Sequence, residues 1–308
     1  MTSVPPPFRH PGPPPLRPEL PEGAPEPPEP PASEEATEWA PRLGVPPWAP
    51  FAALFAALIV IGVIVEIVRV AVEAAQDGPF DVQGSDAATI GLTVVQGILL
   101  VGFAIGTVRI FSGRLPSPAA LGLRLTRPWP ALGWALLVLV GQFVASALIV
   151  LALGEPDEQD LVTDLKAEDS VAMVAAFAIL VCVIAPLVEE VFFRGFMFRA
   201  LAERMPLAPA MVIGGAGFGI VHLPGGDPLA ALVLSVLGTM LCFLYWRTRS
   251  LLPCILFHAT FNSLSFGATK ELPWWGFLLL IAASVTATLA ISLLVMRRGR
   301  GGSPAPAS

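Results

Sequence analysis

Apolar residues run along this chain in long blocks separated by short polar stretches. A bilayer crossing takes about 20 mainly apolar residues in a helix. Eight blocks come near that length: 49–72, 88–111, 131–153, 170–193, 207–223, 228–246, 251–269 and 273–296. The fourth keeps its helical pattern as far as about Arg204, and the fifth is short. The pattern predicts an all-α, polytopic membrane bundle of about eight transmembrane helices over 49–296, with brief loops and no internal repeat.

Composition supports this reading and adds a tail. Hydrophobic residues make up 55% of the 308 and charged residues only 14%, against about a quarter charged in a soluble domain. The first 48 residues differ: they hold 17 of the 33 prolines, seven glutamates and three arginines. Such a stretch buries too little surface to fold and favours extended polyproline conformations, so 1–48 is expected to be a disordered tail. It lacks the basic start and apolar core of a signal peptide. Residues 297–308 form a short basic C-terminal tail. Cys182, Cys242 and Cys254 all lie in apolar blocks and are expected to be small buried hydrophobes rather than a disulfide framework.

Loop charge sets an orientation. Arg109, Arg114, Arg124 and Arg127 follow the second block; Arg194, Arg199 and Arg204 the fourth; Arg247 and Arg249 the sixth; Arg297, Arg298 and Arg300 the eighth. The alternate loops carry only Lys166 and Lys270 and are otherwise acidic, as in "GEPDEQDLVTDLKAED". Positive-inside bias then places both termini in the cytoplasm, most naturally at a bacterial plasma membrane.

Within the fourth block, "VCVIAPLVEEVFFRGFMF" at 181–198 carries three charges, each costing about 2.5–3.5 kcal/mol at the centre of a membrane helix. Glu190 and Arg194 are four apart and share a helix face, so they can pair. Glu189 lies about 100° round and has no such partner in sequence, which leaves it free to hold a water. Pro186, one turn earlier, frees a carbonyl and bends the helix. Two more polar sites fall in apolar blocks: His222, closing "FGIVHL", and His258, opening "HATFN", with Asn262 one turn further on the same face.

A carboxylate beside an imidazole can activate water, while a second imidazole and an amide can stabilise an oxyanion; together they suit amide hydrolysis. Glu189, His222 and His258 could instead hold a zinc ion with water in the open position. Either no cofactor or zinc satisfies this residue set. No His-Glu-x-x-His occurs, no Gly-x-Ser-Gly nucleophile, and no pair of intramembrane aspartates; Asp227 lies in a turn.

Three motifs together resemble the CAAX prenyl endopeptidase and bacteriocin-processing family of intramembrane proteases, known as CPBP or ABI. They are "EEVFFR" at 189–194, "FGIVH" at 218–222 and "HATFN" at 258–262. The resemblance spans roughly 120–270, including "LGLRLTRP". It implies a protease core over that range, labelled metalloprotease in much of the family and glutamate-dependent in some members. Glu189 would activate water with His222, Glu190 and Arg194 would support them, and His258 with Asn262 would stabilise the oxyanion. Metal-free Glu–His activation is the preferred reading. The expected partners are a peptide or membrane-protein substrate and membrane lipid, with no nucleic acid. Two other readings share the residues: a non-catalytic member acting in binding or immunity, and a proton-coupled transporter. Level alignment of the imidazoles requires the fifth segment to be short, tilted or sunk, because His222 closes its block while His258 lies early in its own.

Overall fold

The computed structural model describes residues 42–301 except 77, 83–84 and 158–159. The proline-rich sequence up to residue 41 and the end from residue 302 lie outside the described residues, and so does the greater part of both expected tails. Among the described residues, nine helices follow in chain order: α1 Ala49–Gln76, α2 Asp86–Ser112, α3 Pro128–Leu153, α4 Asp160–Ala167, α5 Val171–Ala202, α6 Leu207–Ile220, α7 Pro228–Thr248, α8 Leu251–Thr269 and α9 Trp274–Gly301. The described residues contain no strand. The all-α expectation holds.

Seven of these helices, all but α4 and α6, are long and apolar enough to cross a membrane. The fifth expected block forms a shorter apolar helix, α6. With 14 residues, α6 reaches about 21 Å at 1.5 Å per residue, against a hydrocarbon core of about 30 Å. A single 3₁₀ turn at Leu223–Gly225 leads on from α6 to α7. The short fifth segment required to bring His222 level with His258 is the one that forms.

Glycines set how closely α6 and α7 pack. A Cβ on Gly219 would fall inside contact distance of Ser235 Oγ and the Ala231 carbonyl oxygen, and one on Gly215 would meet Thr239. On the α7 side, a Cβ at Gly238 would sit 2.8 Å from Gly215 Cα. Small residues allow this backbone approach where lipid supplies no hydrophobic drive between helices. Gly219→Ala is expected to cost about 1–3 kcal/mol through overpacking and to displace His222, three residues on. Gly133, with nothing near its would-be Cβ, is the control. Thermal unfolding in detergent should show Gly219→Ala falling and Gly133→Ala unchanged or raised.

Helix ends are fixed by local chemistry. Asp227 caps α7 by accepting from the Leu229 N–H at 3.1 Å, followed by Pro228 at the first helical position, and Ser250 caps α8 through the Leu252 N–H at 3.2 Å. The connection between α2 and α3, which contains "LGLRLTRP", ties the ends of three other helices together. Arg124 donates to the Arg249 carbonyl, Ser250 Oγ to the Arg124 carbonyl, Arg199 to the Ala120 carbonyl, and the Leu251 N–H to the Gly122 carbonyl at 2.9 Å. Gly122 has φ +91°, a region that suits glycine, and the Tyr245 ring fills the space where its side chain would be.

Two segments read as loop or tail carry structure. Leu43 and Val45 are buried, and the N–H groups of Leu43 and Gly44 donate to the Glu203 carboxylate at 2.6 and 3.2 Å. The acidic stretch before α5 folds into α4, whose end is held by Lys270: Nζ donates to the carbonyls of Leu165 at 3.1 Å and Glu168 at 2.8 Å. A cation there also complements the negative end of the helix dipole.

Candidate functional site

The site is built on α5, which is not a regular α-helix. Two stretches, Leu180–Ile184 and Glu190–Phe198, adopt the wider π pattern, which is rare and often marks functional positions. Pro186 sits between them, where its ring removes one backbone donor. The second π stretch brings Glu190 and Arg194 inward, and both are fully buried.

Glu190 Oε1 is shared by two donors. Arg194 Nη1 donates to it at 2.7 Å, and His258 Nδ1 lies 2.8 Å away. Arg194 Nη2 also donates to the Gly238 carbonyl at 3.2 Å, and the guanidinium sits 4.6 Å from the centre of the Phe218 ring. These contacts offset the desolvation of the buried pair. The expected Glu190–Arg194 pairing is present. Glu190 Oε2 and Arg194 Nε are buried without a protein partner.

His258 joins the two carboxylates. Its Nδ1 faces Glu190, and its Nε2 lies 3.8 Å from Glu189 Oε2, too far for a direct hydrogen bond. The Glu189 side chain is 21% exposed, against 0% for Glu190. Environment separates the adjacent glutamates: one is locked in an ion pair and the other opens onto a cavity. The imidazole found beside Glu189 is that of His258, whereas His222 was the expected partner.

His222 approaches from the end of α6. Its Nδ1 lies 2.8 Å from the Phe218 carbonyl one turn back. A carbonyl only accepts, so Nδ1 carries the proton and Nε2 of the neutral ring presents a lone pair. The Phe218 ring stands close to both imidazoles, with centroids 5.0 Å from His222 and 5.7 Å from His258. Phe218 and Gly238 were not foreseen as site residues. The Phe-x-x-x-His spacing carried the signal for the first, since residues four apart in a helix bring that carbonyl within reach.

Asn262 is occupied in a way the motif does not reveal. Its Nδ2 donates to the Val181 carbonyl of α5 at 2.9 Å. Asn262, Glu189, His222 and His258 all line one cavity of about 420 Å³, with Phe193, Phe261, Val162 and Leu165 on its apolar side and Thr93 and Gln96 of α2 adding polar groups. A cavity of this size is typical of small-ligand sites. Among the described residues, no three His, Cys, Asp or Glu side chains are grouped as a metal ion would require. Glu189 and His258 are neighbours, but His222 does not complete a ready zinc triad with them.

Fold and site together define a multi-pass α-helical membrane protein with a carboxylate–imidazole cluster facing an internal cavity. Residues 171–264 match the family described as type II CAAX prenyl endopeptidase Rce1-like, and the resemblance read from the three motifs is borne out for that stretch. A curated relative, "Putative membrane peptidase YdiL" of Bacillus subtilis (strain 168), is 32% identical over 95 residues. That alignment covers 31% of this chain and 38% of the relative's length. No solved structure matches.

Proposed function

We propose that this protein is an intramembrane endopeptidase that hydrolyses peptide bonds with water activated at Glu189. The observation that carries the reading is the chain Arg194–Glu190–His258–Glu189, which opens onto a cavity inside a membrane bundle. The family match over 171–264 and the relative named as a membrane peptidase support it.

The chemistry follows from the hydrogen-bond roles. Glu190, paired with Arg194, accepts from His258 Nδ1, which leaves the Nε2 lone pair of the neutral ring directed toward Glu189. Two acceptors 3.8 Å apart are joined by a donor, and one water molecule donates to both. As that water attacks the peptide carbonyl carbon, its proton passes to the Glu189 carboxylate and the carbonyl oxygen becomes an oxyanion. A neutral imidazole here has no N–H at Nε2, so stabilisation of the oxyanion by His258 or His222 requires the imidazolium form. Protonated Glu189 then gives its proton to the leaving nitrogen as the C–N bond breaks. Asn262 enters the expected oxyanion pair only with the Nδ2 hydrogen not committed to Val181.

The substrate is a peptide or membrane protein, reached in a lipid environment. The arginine asymmetry between alternate loops supports cytoplasmic termini in a bacterial plasma membrane.

The test uses purified protein in proteoliposomes containing a fluorogenic peptide library, with zinc content measured on the same sample. An endopeptidase of the proposed kind cleaves, retains that activity in chelator and holds no stoichiometric zinc. Activity lost in chelator and restored by zinc would overturn the metal-free mechanism. Proton-coupled solute uptake without cleavage would overturn the enzyme reading.

A further inference from the structure

We propose that Asn262 is a positioning residue that takes the place of the backbone N–H missing at Pro186, and so holds the bend of α5 that presents Glu189 to His258. The proposal rests on the reading of Glu189 and His258 as the reacting groups, but its structural core stands on the backbone alone. At the π stretch Leu180–Ile184 the backbone register widens to five residues, as in the bond from the Ala185 N–H to the Leu180 carbonyl. The next bond in that register would run from residue 186 to the Val181 carbonyl. Residue 186 is proline and has no N–H. The donor that meets Val181 O instead is Asn262 Nδ2, at 2.9 Å.

The position of this bond along α8 gives it a consequence. Asn262 and His258 are one turn apart on the same face of α8. Through them α8 grips α5 at two points on either side of Pro186: His258 at Glu190 below the bend and Asn262 at Val181 above it. Glu189 lies between those points in sequence. The 3.8 Å separation of Glu189 Oε2 from His258 Nε2 is set by both attachments. Loss of the upper one leaves a carbonyl inside the membrane without a donor and lets the π turn relax, and the carboxylate rotates with it. In a helix without the proline the same amide would be redundant. Asn262 and Pro186 thus form a matched pair from distant parts of the chain.

That pairing makes a double-mutant cycle decisive. Asn262→Leu and Pro186→Ala are made singly and together in the full chain, purified in detergent, and compared by thermal unfolding and by hydrogen exchange of backbone 181–190. In the native background, Asn262→Leu is expected to lower Tm by about 2–8 °C, the shift of one unsatisfied buried carbonyl in a domain of this size, and to speed exchange across 185–190. In the Pro186→Ala background, where residue 186 supplies its own N–H, the same substitution should change neither by a measurable amount. Pro186→Ser supplies the same N–H should Pro186→Ala fail to accumulate. With an internally quenched peptide that the native protein cleaves, kcat falls at unchanged KM in Asn262→Leu and returns in the double variant. Equal losses in both backgrounds, or none in either, would overturn the proposal. So would kcat that stays low when stability and exchange are restored, the result expected if Asn262 acted only on the oxyanion. A protein that cleaves nothing would sink the enzyme reading while the exchange and unfolding data still decide the hydrogen bond.

Discussion

Glu190→Ala is expected to keep the protein from accumulating in the membrane, while Glu189→Gln accumulates and unfolds like the native chain. The two side chains are adjacent in sequence and differ in what they hold. Glu190 Oε1 satisfies both Arg194 and His258, and Glu190 and Arg194 are shielded completely from solvent. With the carboxylate gone, Arg194 keeps the Gly238 carbonyl and the face of Phe218 but no opposite charge beside it. Stripping one partner from a buried ion pair costs about 3–5 kcal/mol, a large part of the roughly 5–15 kcal/mol that separates folded from unfolded states. His258 loses its orienting acceptor at the same time. Glu190→Gln preserves volume and one acceptor and should fall between. Because the penalty comes from an uncompensated charge, Glu190→Leu combined with Arg194→Leu should recover much of the yield without recovering activity. Membrane-fraction yield and detergent Tm read this directly, and equal yields for Glu189→Gln and Glu190→Ala would contradict the separation of roles.

The separation was partly legible in the sequence. Helical spacing alone paired Glu190 with Arg194 and left Glu189 over, and the long apolar blocks marked the spans because a bilayer admits few other solutions for a backbone. The Phe-x-x-x-His and His-x-x-x-Asn spacings likewise placed polar groups on shared helix faces. What spacing could not carry was the contact between helices. The imidazole beside Glu189 belongs to α8 and not to α6, and nothing local to either motif encodes which helix packs nearer. The π stretches were hidden for a related reason. A pattern read at 3.6 residues per turn assumes a constant register, and the wider turns of α5 shift every residue beyond them. The proline was visible, but the amide that compensates it lies 76 positions downstream of residue 186, in a motif whose obvious reading was chemical.

The short α6 shows the opposite case, where a tension in the sequence pointed to the answer. A block 207–223 running as a full, upright span would leave His222 away from the level of His258. The helix that forms has only 14 residues, and the glycines at 215 and 219 let it pack closely on α7. The acidic loop before α5 misled for want of periodicity. Its eight-residue helix is too short to give a repeat, yet Val162 and Leu165 from it face the cavity. Tertiary attachment through Lys270, rather than propensity, holds it there.

Glu189→Gln is expected to abolish peptide cleavage, lowering kcat by about 10²–10⁴-fold or more, the range attributed to a positioned general base, with KM close to native. Glutamine fills the same volume and still accepts through its amide oxygen, so it can hold the water but cannot take its proton. The side chain sits at the cavity edge, 3.8 Å from His258 Nε2 and in no direct hydrogen bond with it, so the loss is chemical and not a failure to fold. His258→Gln provides the contrast. Its amide can still donate to Glu190, which preserves the buried pair, but it removes the Nε2 lone pair 3.8 Å from Glu189. A water held by Glu189 alone is less well aimed, so activity should fall without vanishing. His222→Gln should also spare folding, since its ring is tied only to its own helix through the Phe218 carbonyl, and its kinetic effect measures how much the second imidazole adds to stabilising the oxyanion. The order Glu189→Gln below His258→Gln in kcat, at equal Tm, identifies Glu189 as the base. Were His258→Gln the inert variant and Glu189→Gln the partly active one, the imidazole would be the base and Glu189 the group that holds its water.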